Sequence, residues 1–178
     1  MLIPALILAM AAPAAAQTDL LAPARAGKLQ CYTPDAAEKS CRALIAYSFV
    51  AGGKVVSRSE TVLSPDDPIL MKRRAELTLR GGALCGRVQA GDLDQATFTI
   101  AGRAASPSET AILRAQAKLE YAEIFGKEIC TSFKPAKGGL EAGMTLDGVP
   151  QPDVTDQVVW VDAKDGWVVG PRRIRALT

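Results

Sequence analysis

No histidine occurs among the 178 residues of this chain. That absence removes Ser-His-Asp and Cys-His nucleophilic catalysis, imidazole general-base chemistry and the HExxH metalloproteases together. Paired carboxylates, which hydrolyse glycosides, and Ser-Lys pairs, which transfer acyl groups, are still available. A structural zinc site prefers C-x-x-C knuckles or histidine, and the chain has neither. G-x-x-x-x-G-K-[ST], the phosphate-cradling loop, is missing, and so is the S-x-x-K of penicillin-binding enzymes. No cofactor is expected. An excess of one charge is also lacking, since 21 basic residues face 19 acidic ones for a net +2. That balance excludes a nucleic-acid specialist with a strongly basic face. The short clusters Lys72, Arg73, Arg74 and Arg172, Arg173, Arg175 read as solvated surface.

Long hydrophobic runs are scarce too. The one clear example, Leu2 to Met10, is too short for a bilayer, which takes about 20 residues. It leads into Ala14, Ala15 and Ala16, the small-residue pattern of a cleavable signal peptide ending before Gln17. No Lys or Arg precedes the run, so only the amino terminus supplies the usual positive charge. No cysteine stands at the cleavage point to take a lipid, and no transmembrane segment is expected in the mature chain. The expected organisation is a signal peptide over 1–16, a flexible lead-in over 17–30, one domain over 31–171 and a basic tail over 172–178. The expected address is the periplasm or the exterior.

Four cysteines are present: Cys31, Cys41, Cys85 and Cys130. In an exported chain an even count predicts disulfides, and four cysteines allow three connectivities. The pairing Cys31–Cys41 with Cys85–Cys130 is favoured because the first pair closes the compact stretch YTPDAAEKS.

The order of elements follows from period and punctuation. RALIAYSFV and VVSRSETVL read as a hairpin on a two-residue Gly52-Gly53 turn. Ile45, Tyr47 and Phe49 then share one face, with Arg58 and Glu60 opposite them. RRAELTLRGGALCGRV forms a second hairpin at Gly81-Gly82, which sets Leu79 opposite Leu84, Ala75 opposite Val88 and Glu76 opposite Arg87. Phe98 and Ile100 alternate with threonines in a further strand. A helix starts at Ser106 as N-cap, with Pro107 at its first position and Glu109 completing a capping box. Its expected buried stripe is Ile112, Ala115, Leu119 and Ala122, and Gly126 ends it. EICTSF and two strands around Asp165-Gly166 follow. The expected class is α+β, an antiparallel meander of hairpins with one long helix packed on it and stapled by disulfides. The alternative is a β-sandwich with an inserted helix.

Candidate carboxylates are Asp92 with Asp94, Asp153 with Asp156, and Asp162 with Asp165. Each lies in a Gly- or Pro-containing stretch, where Asp serves a turn far more often than it serves catalysis. VDAKDGW lacks the alternating acidic spacing and distal Glu of a calcium loop. Trp160, Trp167 and Tyr47, with Phe49, are the candidates for a partner surface, although strand aromatics more commonly fill a core. The expectation is an exported, non-enzymatic binding domain whose partner is an envelope protein or envelope component. A histidine-free hydrolase and a carrier of a small apolar ligand are the alternatives.

Overall fold

The computed structural model describes residue 19 and residues 21–64 and 68–170. The expected signal peptide and basic tail lie outside these residues. The chain opens with a short helix α1 (Ala22–Arg25), followed by β1 (Leu29–Tyr32), β2 (Ser40–Cys41), β3 (Ala43–Val50), β4 (Lys54–Val62), β5 (Ile69–Arg80) and β6 (Ala83–Arg87). An insertion then carries β7 (Thr97–Ile100), β8 (Arg103–Ala104) and α2 (Pro107–Glu120). The chain returns through β9 (Glu128–Ala136), β10 (Gly139–Leu146), β11 (Val149–Val161) and β12 (Val168–Val169).

The sheet closes on itself. Around the ring the order is β1, β3, β4, β5, β6, β9, β10, β11 and back to β1, every pair antiparallel, giving an up-and-down barrel of eight strands. This overturns the α+β expectation of a sheet covered by a helix, and the sandwich alternative with it. The decisive pairing joins Gln30 to Trp160 and Cys31 to Val159, residues at opposite ends of the chain. Local period reports a half-buried strand equally well in an open sheet and in a barrel.

The first hairpin differs from its expected register by one residue. Ala51–Gly53 form a three-residue turn, with Gly52 at φ 77° and Gly53 at φ 74°, so Val50 rather than Ala51 pairs with Lys54. Ile45, Tyr47 and Phe49 therefore stand opposite Ser59, Ser57 and Val55. Because side chains alternate, the same shift sends Arg58 and Glu60 to the outer face. The second hairpin holds Leu79 opposite Leu84, but its ladder stops at Thr78 and Cys85, so Glu76 and Arg87 are not ladder partners. Below that point β5 turns to pair with β7 through Ile69 to Lys72.

Two cores result. Inside the barrel, Val55, Leu84, Phe133, Leu140 and Val158 pack with the partly buried Tyr47, Phe49 and Trp160. The segment expected as a lead-in contributes here, because Leu21 is buried in this core and Arg25 lies 3.9 Å over the Phe49 ring. α1 thus covers the end of the barrel that bears the β3–β4 turn. Outside the barrel, α2 packs on β7 and the start of β5 through Leu113, Ala117, Phe98 and Met71. The capping box is present as expected, with the Ser106 and Glu109 side chains each accepting the other's backbone N–H. The buried stripe is not the expected one: Leu113 and Ala117 are buried, while Ile112 is 60% and Leu119 77% exposed. The two apolar stripes differ by one residue, and the sheet beneath selected the narrower.

The cysteines pair as Cys31–Cys41 and Cys85–Cys130. Cys31 and Cys41 form a small core with Val161, against which Trp167 packs. Cys85 and Cys130 face each other across β6 and β9, clamping the two strands on either side of the insertion.

Candidate functional site

Eight strands enclose an interior that side chains can fill or that can hold one small ligand. Here most of it is filled, and a cavity of about 140 Å³ is left. Its floor is Leu77 and Leu84, and its walls include Ile45, Ala75 and Ile129. Polar groups converge on it from two sides. Ser57 and Ser59 come from β4 and Arg73 from β5, where Ser59 and Arg73 are direct cross-strand neighbours. Tyr32 and Tyr47 come from β1 and β3. No α1 residue lines the cavity, and its lining reaches the exposed Arg87 and the half-buried Asp92, which mark its mouth.

Tyr32 and Tyr47 share a fully buried amide. Tyr47 Oη donates to Gln30 Oε1 at 2.6 Å, and Tyr32 Oη approaches the same oxygen at 3.4 Å. Gln30 is 0% exposed, and its Nε2 has no hydrogen-bond partner. Rotating the amide does not repair this, because Nε2 would then face the phenols and Oε1 would be left unpaired. An unpaired buried amide end costs about 1–3 kcal/mol, a cost usually removed by water or ligand. Burial raises both phenol pKa values above the ordinary range, so both remain neutral hydrogen-bonding groups at physiological pH.

Arg73 stands where the inner wall ends, lining the cavity and, with Ser59, also the groove that holds Trp167. It is half-buried, and its guanidinium lies 5.8 Å from the centre of the Tyr121 ring, just beyond α2. Among the described residues no carboxylate lies within ion-pairing distance of it, whereas its neighbours Lys72 and Arg74 pair with Glu60 and Glu76 on the outer face. The cluster expected to be uniformly solvated therefore has one inward member. Its signal was alternation, which places Arg73 on the face of Ala75, Leu77 and Leu79 once β5 is read as a single strand.

The expected partner-surface residues are separated. Trp160 and Tyr47 face the barrel core, while Trp167 lies in an outer groove with Leu29, Leu44, Ala46, Arg58 and Arg74. The candidate carboxylates are dispersed, and four of the six are engaged. Asp92 accepts from the Gln89 N–H at 2.8 Å, Asp94 pairs with Lys118 at 2.6 Å, and Asp156 accepts from Thr33 and pairs with Arg42. Asp162 caps the turn that contains Asp165 by accepting from the Lys164 N–H, and Asp153 is exposed on β11. Among the described residues no three His, Cys, Asp or Glu side chains gather as a metal cage, and no helix is long and apolar enough to cross a membrane.

The chain matches no family model, no curated protein and no solved structure.

Proposed function

We propose that the chain is an exported, non-enzymatic binding protein that holds a small ligand inside its barrel. The observation that carries this reading is the cavity itself, an apolar space on which Tyr32, Tyr47, Ser57, Ser59 and Arg73 converge. A mostly apolar chamber with a few convergent polar groups is the common form of a small-molecule site. Its volume of about 140 Å³ restricts the guest. Drug-sized pockets run from about 300 Å³ upward, whereas a cavity of about 150 Å³ accommodates benzene. The ligand is accordingly of about benzene size, not a long-chain lipid. The disulfides are suited to an oxidising compartment, which supports a periplasmic or secreted address. The dispersal of the named aspartates over separate elements, with Asp92, Asp94, Asp156 and Asp162 held in turns and ion pairs, weighs against carboxylate hydrolysis.

Native mass spectrometry of protein purified from its own envelope fraction tests this reading. A low-mass adduct that disappears when Ala75→Leu fills the cavity supports it. An adduct-free protein that also takes up no member of a library of small aromatic fragments overturns it.

A second reading, an acidic protein partner on the outer face, is favoured by Arg58 and Arg74. They stand directly opposite each other on neighbouring strands beside Trp167. Like charges in that position are unfavourable, and while Glu76 answers Arg74 at 2.9 Å, Arg58 meets only the Ser48 hydroxyl at 3.3 Å among the described residues. Loss of a co-purifying protein on Trp167→Ala, with the low-mass adduct retained, would favour this surface.

A further inference from the structure

We infer that the barrel cavity is selective for a small carboxylate, with Arg73 binding the carboxylate at the mouth and the apolar body of the ligand lying on Leu77 and Leu84; this rests on the small-ligand reading above. The charges around the mouth distinguish Arg73 from its neighbours. Glu76 is held by Arg74 at 2.9 Å, and Asp92 is engaged by the Gln89 N–H at 2.8 Å. Arg87 donates to the Gly126 carbonyl at 2.6 Å. Arg73 alone among these four meets a ring face and no oxygen, among the described residues. A half-buried guanidinium on a barrel wall is costly to keep without an anion, and its planar fork matches a carboxylate.

The rest of the inner wall is also suited to an acceptor. Ser59 stands beside Arg73 and carries a hydroxyl that can turn toward the mouth. Tyr47 donates to Gln30 at 2.6 Å and Tyr32 donates to the same oxygen at 3.4 Å, so Tyr32 is the more weakly held of the two donors. With the amide reversed, both phenols are free to donate into the cavity. In either arrangement the inner wall supplies donors, and the carboxylates stay at the rim. Neutral phenols leave the field of Arg73 unopposed from within.

The test is isothermal titration of the full mature protein with benzoate and with its neutral near-isostere benzamide, on the wild type and on Arg73→Met, Arg73→Lys and Ala75→Leu, each confirmed folded by circular dichroism. Benzoate is expected to bind more tightly than benzamide. Arg73→Met should weaken benzoate at least about tenfold and leave benzamide unchanged, as loss of a charge-assisted hydrogen bond does. Arg73→Lys should restore part of the difference. Ala75→Leu should abolish both. Equal binding of the two probes, or equal weakening of both by Arg73→Met, overturns the carboxylate assignment and leaves the cavity reading standing. Benzoate binding that survives Ala75→Leu places the anion site outside the barrel and overturns the assignment. Failure of both probes on the folded wild type overturns the cavity reading itself.

Discussion

The Tyr47 hydroxyl lies 2.6 Å from Gln30 Oε1, while the Nε2 of the same fully buried amide has no partner. The two ends of one side chain therefore have opposite energetic roles. Tyr47→Phe removes the short bond and leaves the amide more poorly satisfied, so it should destabilise by about 1–3 kcal/mol. Gln30→Met removes the orphaned group and keeps the volume, and Tyr47 can still bond Tyr32. Its effect should be near zero or slightly stabilising. Urea unfolding midpoints of the two variants separate these outcomes. If Gln30→Met costs more than Tyr47→Phe, the amide is satisfied in solution.

The helix of the insertion carries the clearest pH dependence. Glu109 accepts from Arg103 at 2.6 and 2.9 Å and from the Ser106 N–H at 2.8 Å, and these bonds hold its carboxyl well below the usual carboxylate range. A depressed folded-state pKa gives stability that is present above the unfolded value of about 4.3 and is lost as pH falls below it. Helicity of the insertion should thus decline on acidification below about pH 4. Glu109→Gln should be less stable than the wild type at neutral pH, and the two should converge in acid. Ser106→Ala should cost about 1 kcal/mol at neutral pH and keep most of that cost in acid, since the N-cap hydroxyl that accepts from the Glu109 N–H does not itself titrate. Parallel unfolding curves for Glu109→Gln and wild type across pH 2–7 would count against this ion pair.

The capping box was legible in the sequence because all of its determinants lie within four residues. The Gly81-Gly82 hairpin was legible for the same reason. Barrel closure was not, because it depends on Gln30 meeting Trp160 across almost the whole chain, and no local period encodes that meeting. The candidate site was hidden by a smaller error. A two-residue turn at Gly52-Gly53 puts Arg58 and Glu60 opposite Tyr47 and Ile45, whereas the three-residue turn puts Ser57 and Ser59 there. The polar wall of the cavity emerges only with the second register. Gln30 and Tyr32 fell in or next to a stretch read as lead-in, where the pair offered too short a strand to show alternation.

The two disulfides should fail differently. Cys31 and Cys41 are fully buried in a small core with Val161, and the loop between them is short, at a separation of 10. Cys85 and Cys130 are separated by 45 residues, and Cys130 is only half-buried. By chain entropy, the longer loop gives the larger contribution, about 4 kcal/mol against about 3. A thiol reductant under native conditions should nonetheless reach Cys85–Cys130 first, because access limits exchange. Timed alkylation with peptide mass spectrometry reads the order. Simultaneous labelling of all four cysteines would show that reduction waits for global unfolding.

The β3–β4 turn offers the sharpest test of the barrel itself. Gly52 and Gly53 both hold positive φ, and the turn they form with Ala51 fixes Tyr47 against Ser57 and Phe49 against Val55. Deleting Gly53 while the chain keeps a three-residue turn, now Ala51, Gly52 and Lys54, slides β4 by one position. Arg58 and Glu60 would then turn into the core, and Val55 would leave it. Burying two charges in place of Ser57 and Ser59 costs several kcal/mol for each ion, comparable to a domain's usual stability of about 5–15 kcal/mol, so that register should not fold. Gly52→Ala keeps the register and strains one residue, and it should cost only about 1 kcal/mol. Exported yield and near-ultraviolet circular dichroism, from tryptophans on both sides of the barrel wall, report the difference. A deletion variant with native dichroism would mean that an Ala51-Gly52 connection holds Val50 opposite Lys54 and that the three-residue turn does not by itself fix the inner face.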